Sequence, residues 1–117
     1  MLLVEDQEAV AIAARRILER AGYTVLTARH GAEALAILEA ATAHVNVVVT
    51  DLTMPTMGGA ELVRRLAILD PHLPIVYMSG FAEEAIAPEL ARHTFLQKPF
   101  TIDALTGAVR AALGTSA

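Results

Sequence analysis

Five polar residues stand at the ends of predicted strands, and their chemical types suit the transfer of a phosphoryl group. Glu5 and Asp6 follow the apolar run LLV, Asp51 follows VNVVVT, Ser79 ends IVYMS, and Lys98 follows TFLQ. Three carboxylates held close together repel one another, so each resists ionisation unless a cation joins them. If these strands end at one edge of a sheet, the five side chains form a site that needs a positive partner.

Oxygen ligands of this kind suit a hard divalent cation at an exposed edge. Mg²⁺ keeps several waters and takes only one or two carboxylates together with phosphate oxygens. An ionised aspartate beside it can attack phosphorus at neutral pH without a general base. The metal, the ammonium of Lys98 and the hydroxyl of Ser79 would then hold the oxygens of the group in transfer. We therefore expect Mg²⁺ as the cofactor, and Asp51, Lys98 and Ser79 as the catalytic residues.

Alternating strand and helix patterns indicate how the chain brings these residues together. Strand-like apolar runs occupy five stretches, at residues 2–4, 23–28, 45–50, 75–79 and 94–97. Between and after them, apolar residues recur at helical spacing before Gly22, within 32–40, after Gly59 and after Thr101. This alternation indicates βαβ crossovers and a doubly wound parallel sheet with helices on both faces. In such an α/β sheet the binding site lies beyond the carboxyl ends of the strands, where the strand order reverses.

Length and composition limit the remaining possibilities. The 117 residues predict one domain, and apolar residues make up 55% of them against 4% aromatic. No apolar stretch approaches the roughly 20 residues of a membrane span, and no secretory signal pattern opens the sequence. The lack of cysteine excludes disulfides and thiolate metal sites and favours a cytoplasmic setting. A net charge of −4 argues against direct nucleic-acid binding.

The use of lysine and histidine separates the candidate site from the surface. Lys98 is the only lysine among nine Lys and Arg residues. Because lysine carries a compact point charge and arginine a planar fork, this choice indicates that a point charge is needed there. The four histidines lie mostly in predicted connections, and we interpret them as solvated and non-catalytic.

Four motifs resemble those of the receiver domain of two-component response regulators. They are VED at 4–6, TDLTMPTMGG at 50–59, YMSGF at 77–81 and KPF at 98–100. They occur in the order typical of that family, and the resemblance spans essentially the whole chain, residues 1–117. It implies a flavodoxin-like sheet of five parallel strands in the order 2-1-3-4-5 with five helices. Because Pro88 lies in the short stretch between the last two motifs, we expect the fourth helix to be short or irregular.

The resemblance also implies a role for each residue of the site. Asp51 corresponds to the phosphoacceptor, and Lys98 to the phosphate-binding lysine. Glu5 and Asp6 correspond to the acid pair that holds Mg²⁺, together with Asp51 and the backbone carbonyl of Thr53. The Lys-Pro pair implies a cis peptide bond, which the sequence alone leaves open.

Ser79 and Phe95 are the residues that a conformational switch would use. By resemblance Ser79 is the switch hydroxyl and Phe95 the aromatic that changes rotamer on activation. Each has an alternative role, since Ser79 could cap a helix that begins at Ala82 and Phe95 could be an ordinary core residue.

The resemblance further implies partners and a cellular context. The domain would take its phosphoryl group from a histidine kinase or a histidine phosphotransfer domain, catalysing its own phosphorylation and dephosphorylation. The motifs are most like those of receivers at the C-terminus of hybrid sensor histidine kinases, with a free-standing single-domain regulator as the alternative. No output domain is expected after the last helix. We expect a monomer or weak dimer, cytoplasmic, without membrane contact of its own, either free or tethered within a membrane-associated kinase.

Three other classes of protein fit the residues less well. A haloacid-dehalogenase-type phosphatase needs a second aspartate two positions after the first, where this chain has Thr53. A flavodoxin-like cofactor binder needs a phosphate loop rich in Gly, Ser and Thr, where this chain has EDQE. A docking pseudo-receiver would lack part of the acid set, which is complete here.

Overall fold

The computed structural model describes residues 1–41, 45–51, 59–80 and 93–114. Its strands are β1 (Leu2–Val4), β2 (Leu26–Ala28), β3 (Val48–Asp51), β4 (Ile75–Ser79) and β5 (Thr94–Gln97). Within the described residues four helices occur, α1 (Glu8–Arg20), α2 (Gly31–Ala41), α3 (Gly59–Leu69) and α4 (Ile102–Gly114). The fourth of the five predicted helices falls in 81–92, outside the described residues.

The five strands form one sheet in the order β2-β1-β3-β4-β5, and every neighbouring pair is parallel. The predicted strand order is therefore confirmed. The order reverses between β1 and β3, where Val4 lies opposite Thr50. By the rule for open α/β sheets, the crevice beyond this point is the expected binding site.

Helices cover both faces of the sheet and divide the core into two layers. Leu2 and Val4 of β1 face the layer that includes Leu38 of α2 and Leu66 of α3. Leu3 faces the layer formed with α1 and α4. All three residues of β1 are fully buried, which accounts for the uninterrupted apolar run LLV. Among the described residues, no helix is both long and apolar enough to cross a bilayer.

β2 is shorter than the predicted run of residues 23–28. α1 ends before Gly22, whose φ of 101° is the left-handed conformation that glycine favours at a helix end. The N–H of Tyr23 then bonds back to the carbonyl of Leu18 at 3.1 Å. Because Tyr23 is held by the end of α1, pairing with β1 starts only at Leu26.

α2 begins at a cap that the sequence analysis missed. Nδ1 of His30 accepts the backbone N–H of Glu33 at 3.2 Å, and Glu33 Oε1 accepts the backbone N–H of Arg29 at 2.9 Å. His30 is half-buried. The interpretation of all four histidines as solvated is therefore wrong for His30, because its ring nitrogen serves as the helix cap.

Candidate functional site

Three carboxylates meet beyond the carboxyl ends of β1 and β3. Asp51 is the last residue of β3, and Glu5 and Asp6 follow β1, the neighbouring strand. One oxygen from each of the three carboxylates lies within 4.8 Å of the other two. Glu5 is 2% exposed and Asp51 4%, whereas Asp6 is exposed. Two buried acids and one exposed acid thus form a cluster that is open on one side.

Lys98 connects this acid cluster to the other half of the sheet. Its Nζ lies 2.6 Å from Glu5 Oε1 and 3.1 Å from Asp51 Oδ2. Its backbone N–H donates to the carbonyl of Ser79 at 2.8 Å. The peptide bond between Lys98 and Pro99 is cis. The sequence analysis assigned Lys98 to the phosphoryl group and missed its contact with Glu5, for which the sequence carries no signal.

The remaining predicted site residues lie on β4, on β5 and beyond β3. Ser79 ends β4, is 5% exposed, and follows Met78, the register partner of Asp51. Phe95 on β5 is half-buried, and its ring centroid lies 5.4 Å from that of Tyr77 with the planes tilted by 43°. The structure therefore places Ser79 at the same edge as Asp51 and packs Phe95 against the core. Thr53 lies outside the described residues.

Glu5 is the most electrostatically perturbed residue of the cluster. Burial raises its pKa from 4.5 to about 7, with a further increase from Asp51 and an opposing effect from Lys98. Within the described residues, no hydrogen-bond partner reaches its buried Oε2. A buried acceptor without a partner costs about 1–3 kcal/mol, and more when it is charged. Glu5 therefore needs a proton or a further cation.

Among the described residues, the cation bonded to this cluster is Lys98. Burial lowers the pKa of its ammonium, but hydrogen bonds to Glu5 and Asp51 outweigh burial and hold that pKa above its ordinary value. Three ionised carboxylates and one ammonium sum to a formal charge of −2. A single divalent cation would neutralise this charge and would give Glu5 Oε2 a partner. The cluster thus fits Mg²⁺, for which carboxylate oxygens are preferred ligands.

Two depressions adjoin the cluster on opposite sides of α1. A cleft of about 280 Å³ contains Glu5 and Asp6 and extends between α1 and β2 toward Arg29. A groove of about 460 Å³ contains Lys98 and is otherwise lined by Gln7, Ala9, Val10, Ala13, Pro99 and Phe100. The cleft therefore gives access to Glu5 and Asp6, and the groove on the other side of α1 gives access to Lys98.

The chain is thus an α/β domain with a doubly wound parallel sheet. Beyond the carboxyl ends of its strands lie two buried carboxylates and a lysine that is bonded to both. Residues 1–110 match the family model described as the response regulator receiver domain. The chain therefore belongs to the receiver domain family of two-component signalling.

Individual relatives have different lengths and architectures. The chain is 42% identical over 113 residues to Sensor kinase CckA of Brucella abortus, covering 94% of this chain but only 12% of that protein. It is 28% identical over 113 residues to Sporulation initiation phosphotransferase F of Bacillus subtilis, covering 94% of this chain and 90% of that protein. The crystal structure of the receiver domain of Hybrid Histidine Kinase CckA superposes with a TM-score of 0.82 at 33% identity, covering 96% of each chain.

Proposed function

We propose that Asp51 accepts a phosphoryl group from a phosphorylated histidine of a kinase or phosphotransfer domain, in a reaction that depends on Mg²⁺. The observation that carries this proposal is the position of the Asp51 carboxylate. It is nearly buried at the end of β3, with Lys98 Nζ at 3.1 Å and the oxygens of Glu5 and Asp6 within 4.8 Å. An acceptor, a fixed cation and a metal-binding acid pair are the parts that phosphoryl transfer requires.

Each residue has a defined task in the transfer. A carboxylate oxygen of Asp51 attacks phosphorus, a P–O bond forms, and the P–N bond to the donor imidazole breaks with its electron pair remaining on nitrogen. Glu5 and Asp6 would hold Mg²⁺, which when bound neutralises charge on the phosphoryl oxygens. Lys98 and Ser79 stabilise the remaining oxygens, since both lie at the same edge as Asp51. The backbone carbonyl of Thr53 completes the proposed metal ligands.

The groove beside Lys98 suits the donor helix of a partner. It is lined by Ala9, Val10 and Ala13 on α1 and by Pro99 and Phe100 after β5. Small side chains allow close approach of a second backbone, and an apolar helix face buries well in such a groove. A histidine presented there would lie beside Lys98 and close to the acid cluster. We therefore propose a helical histidine-bearing protein as the partner.

Phosphorylation would be reported by Ser79 and Phe95. Phe95 packs against Tyr77 with ring centroids 5.4 Å apart. We propose that Ser79 moves toward the phosphoryl group and that Phe95 changes rotamer in response. The domain then relays the phosphoryl group or displays the changed surface. The similarity to Sensor kinase CckA favours a place within a hybrid kinase, and the similarity to Sporulation initiation phosphotransferase F supports a free-standing regulator as the alternative.

Phosphorylation of the purified domain by acetyl phosphate tests the proposal. Mass spectrometry should detect one acid-labile phosphoryl group on Asp51 with Mg²⁺ present and none after chelation with EDTA. Asp51→Asn should abolish it. Asp70→Asn is the matched control, because Asp70 is an exposed aspartate in the turn after α3. A folded parent that gains no phosphoryl group from acetyl phosphate or from a phosphorylated kinase would favour the docking pseudo-receiver.

A further inference from the structure

The N-terminus of α2 has a cap that only a neutral histidine can form. The common N-cap residues are Ser, Thr, Asp and Asn, whose oxygens accept a backbone N–H of the first turn. Here Nδ1 of His30 accepts the N–H of Glu33 at 3.2 Å, and the carbonyl of His30 accepts the N–H of Ala34 at 3.0 Å. A neutral imidazole has one acceptor nitrogen, so this bond requires the tautomer protonated on Nε2.

Protonation would turn the His30 ring from a cap into a group that opposes the helix. Both nitrogens of an imidazolium are donors, so Nδ1 could no longer accept the N–H of Glu33. The added charge would also lie at the positive end of the α2 dipole, where a cation is unfavourable. Histidine is the side chain that ordinarily changes charge between about pH 5 and 8. Protonation of the His30 ring therefore removes this cap.

A short junction connects the cap to the backbone of the acid cluster. Ala28 is the last residue of β2 and is 2% exposed, and its carbonyl accepts the N–H of Glu5 at 3.0 Å. The next residue, Arg29, donates its N–H to Glu33 Oε1 at 2.9 Å. The junction is thus held at one end by Glu5 and at the other by the first turn of α2.

We propose that His30 is a proton-sensitive clamp on this junction. Neutral His30 fixes residues 28–30 between α2 and the backbone of Glu5, and protonated His30 releases them. The junction also forms one wall of the cleft that contains Asp6. Release would therefore loosen the support of the acid pair on the β2 side. The clamp is a property of the fold and does not depend on phosphorylation of Asp51.

The charges around the junction determine the sign of the response. Glu33 on the same helix would attract an imidazolium, but its Oε1 is already engaged by the N–H of Arg29. Arg29 itself repels one. Among the described residues, the opposite wall of the cleft carries Glu5, Asp6, Glu8 and Arg15. α3, which packs in the same core layer as α2, carries Glu61, Arg64 and Arg65. Those of α3 are paired with one another. The acids of the cleft wall attract an imidazolium, but this screened attraction does not replace the hydrogen bond that Nδ1 loses, so protonation weakens the cap.

Amide hydrogen exchange measured by NMR tests the clamp. His30→Asn supplies an N-cap that does not titrate, so the ratio of parent to variant exchange rates removes the intrinsic effect of pH. Between about pH 8 and pH 5.5 this ratio should rise roughly fivefold at the Glu33 amide, as expected for the loss of one cap. The ratio at the Glu5 amide should rise in the same direction. His72→Asn, at an exposed histidine in the turn after α3, is the matched control and should keep the parental profile.

The exchange rates at Glu33 and at Glu5 test the clamp and its link to the acid cluster separately. A Glu33 ratio that does not change with pH overturns the clamp. A change at Glu33 without one at Glu5 overturns the link to the acid cluster. Melting gives an independent readout, since the parent should lose about 3–6 °C more than His30→Asn on acidification. Equal losses would count against the clamp, and His30→Ser provides the same comparison if His30→Asn does not fold.

Discussion

Lys98 and a divalent cation should compete for the carboxylate of Asp51. Nζ of Lys98 lies 2.6 Å from Glu5 Oε1 and 3.1 Å from Asp51 Oδ2. A metal ion that takes Glu5 through Oε2 also needs an oxygen of Asp51, and we expect it to displace the ammonium from Asp51 Oδ2. Lys98→Met keeps an unbranched side chain and removes the charge, so the variant should bind Mg²⁺ more tightly than the parent.

The size of the effect follows from the bond that the metal has to replace. A hydrogen bond to a charged group contributes about 1.5–3 kcal/mol. The side chain of Lys98 is 19% exposed and therefore partly hydrated, so the lower end applies. About 1.4 kcal/mol corresponds to a tenfold change in Kd, and we expect an approximately tenfold lower Kd for Mg²⁺. The metal-free variant should also be about 2 kcal/mol less stable, because Glu5 and Asp51 lose their buried cation.

Calorimetric titration with Mg²⁺ measures the first effect, and urea unfolding with and without Mg²⁺ measures the second. The titration should be done at about pH 8.5, above the raised pKa of Glu5, so that a change in protonation does not mask the change in affinity. Arg110→Met is the matched control, since it removes an exposed cation from α4. A folded Lys98→Met variant whose Mg²⁺ affinity is unchanged or weaker would refute the competition.

Three further predictions concern the same site. Millimolar Mg²⁺ should stabilise the folded parent by about 1.4 kcal/mol at tenfold saturation, and its melting temperature should rise accordingly. Without Mg²⁺, the Asp51→Asn variant should be no less stable than the parent, because one of the repelling charges is removed. Because burial raises the pKa of Glu5 to about 7, the folded state binds this proton more tightly than the unfolded chain. Metal-free stability should therefore fall as the pH rises from about 4.5 to 7, and Glu5→Gln should lack this decline in urea titrations. The Lys98→Arg variant should still be phosphorylated, but it should not produce the conformational response, because the larger guanidinium does not replace a compact ammonium. Normal signalling by this variant in a kinase-linked reporter assay would contradict the prediction.

The convergence of Glu5, Asp6 and Asp51 could be predicted because the topology of a parallel sheet places the carboxyl ends of all its strands at one edge. Once the alternating pattern indicates parallel strands, residues that follow each strand must meet at one edge. The strand order needed more than periodicity, and it came from the motifs that resemble the receiver family. Asp51 could be placed with most certainty from the sequence, because an acid directly after a buried strand is costly unless it lies at the strand end beside a cation.

Contacts between long side chains could not be predicted in this way. The bond from Lys98 to Glu5 depends on the rotamers of two flexible side chains that are 93 residues apart in the sequence. The cap at His30 was missed because the usual capping signals are Ser, Thr, Asp and Asn, and a histidine before a helix carries no comparable signal. The late start of β2 depends on how α1 ends at Gly22, which periodicity alone does not fix. The predicted fourth helix and Thr53 lie outside the described residues.

The two attachments of Lys98 give the site a physical route to the far strands. Its ammonium is bound by acids that follow β1 and end β3, while its backbone N–H is bound by the carbonyl of Ser79 at the end of β4. Phe95 lies on β5, the strand that leads directly into Lys98. Any ligand that takes the acids away from the ammonium changes the forces on a residue whose backbone is tied to Ser79. If Lys98 were bonded only through its side chain, the acids would have no such connection to β4. The response to a metal or a phosphoryl group should therefore extend to β4 and β5.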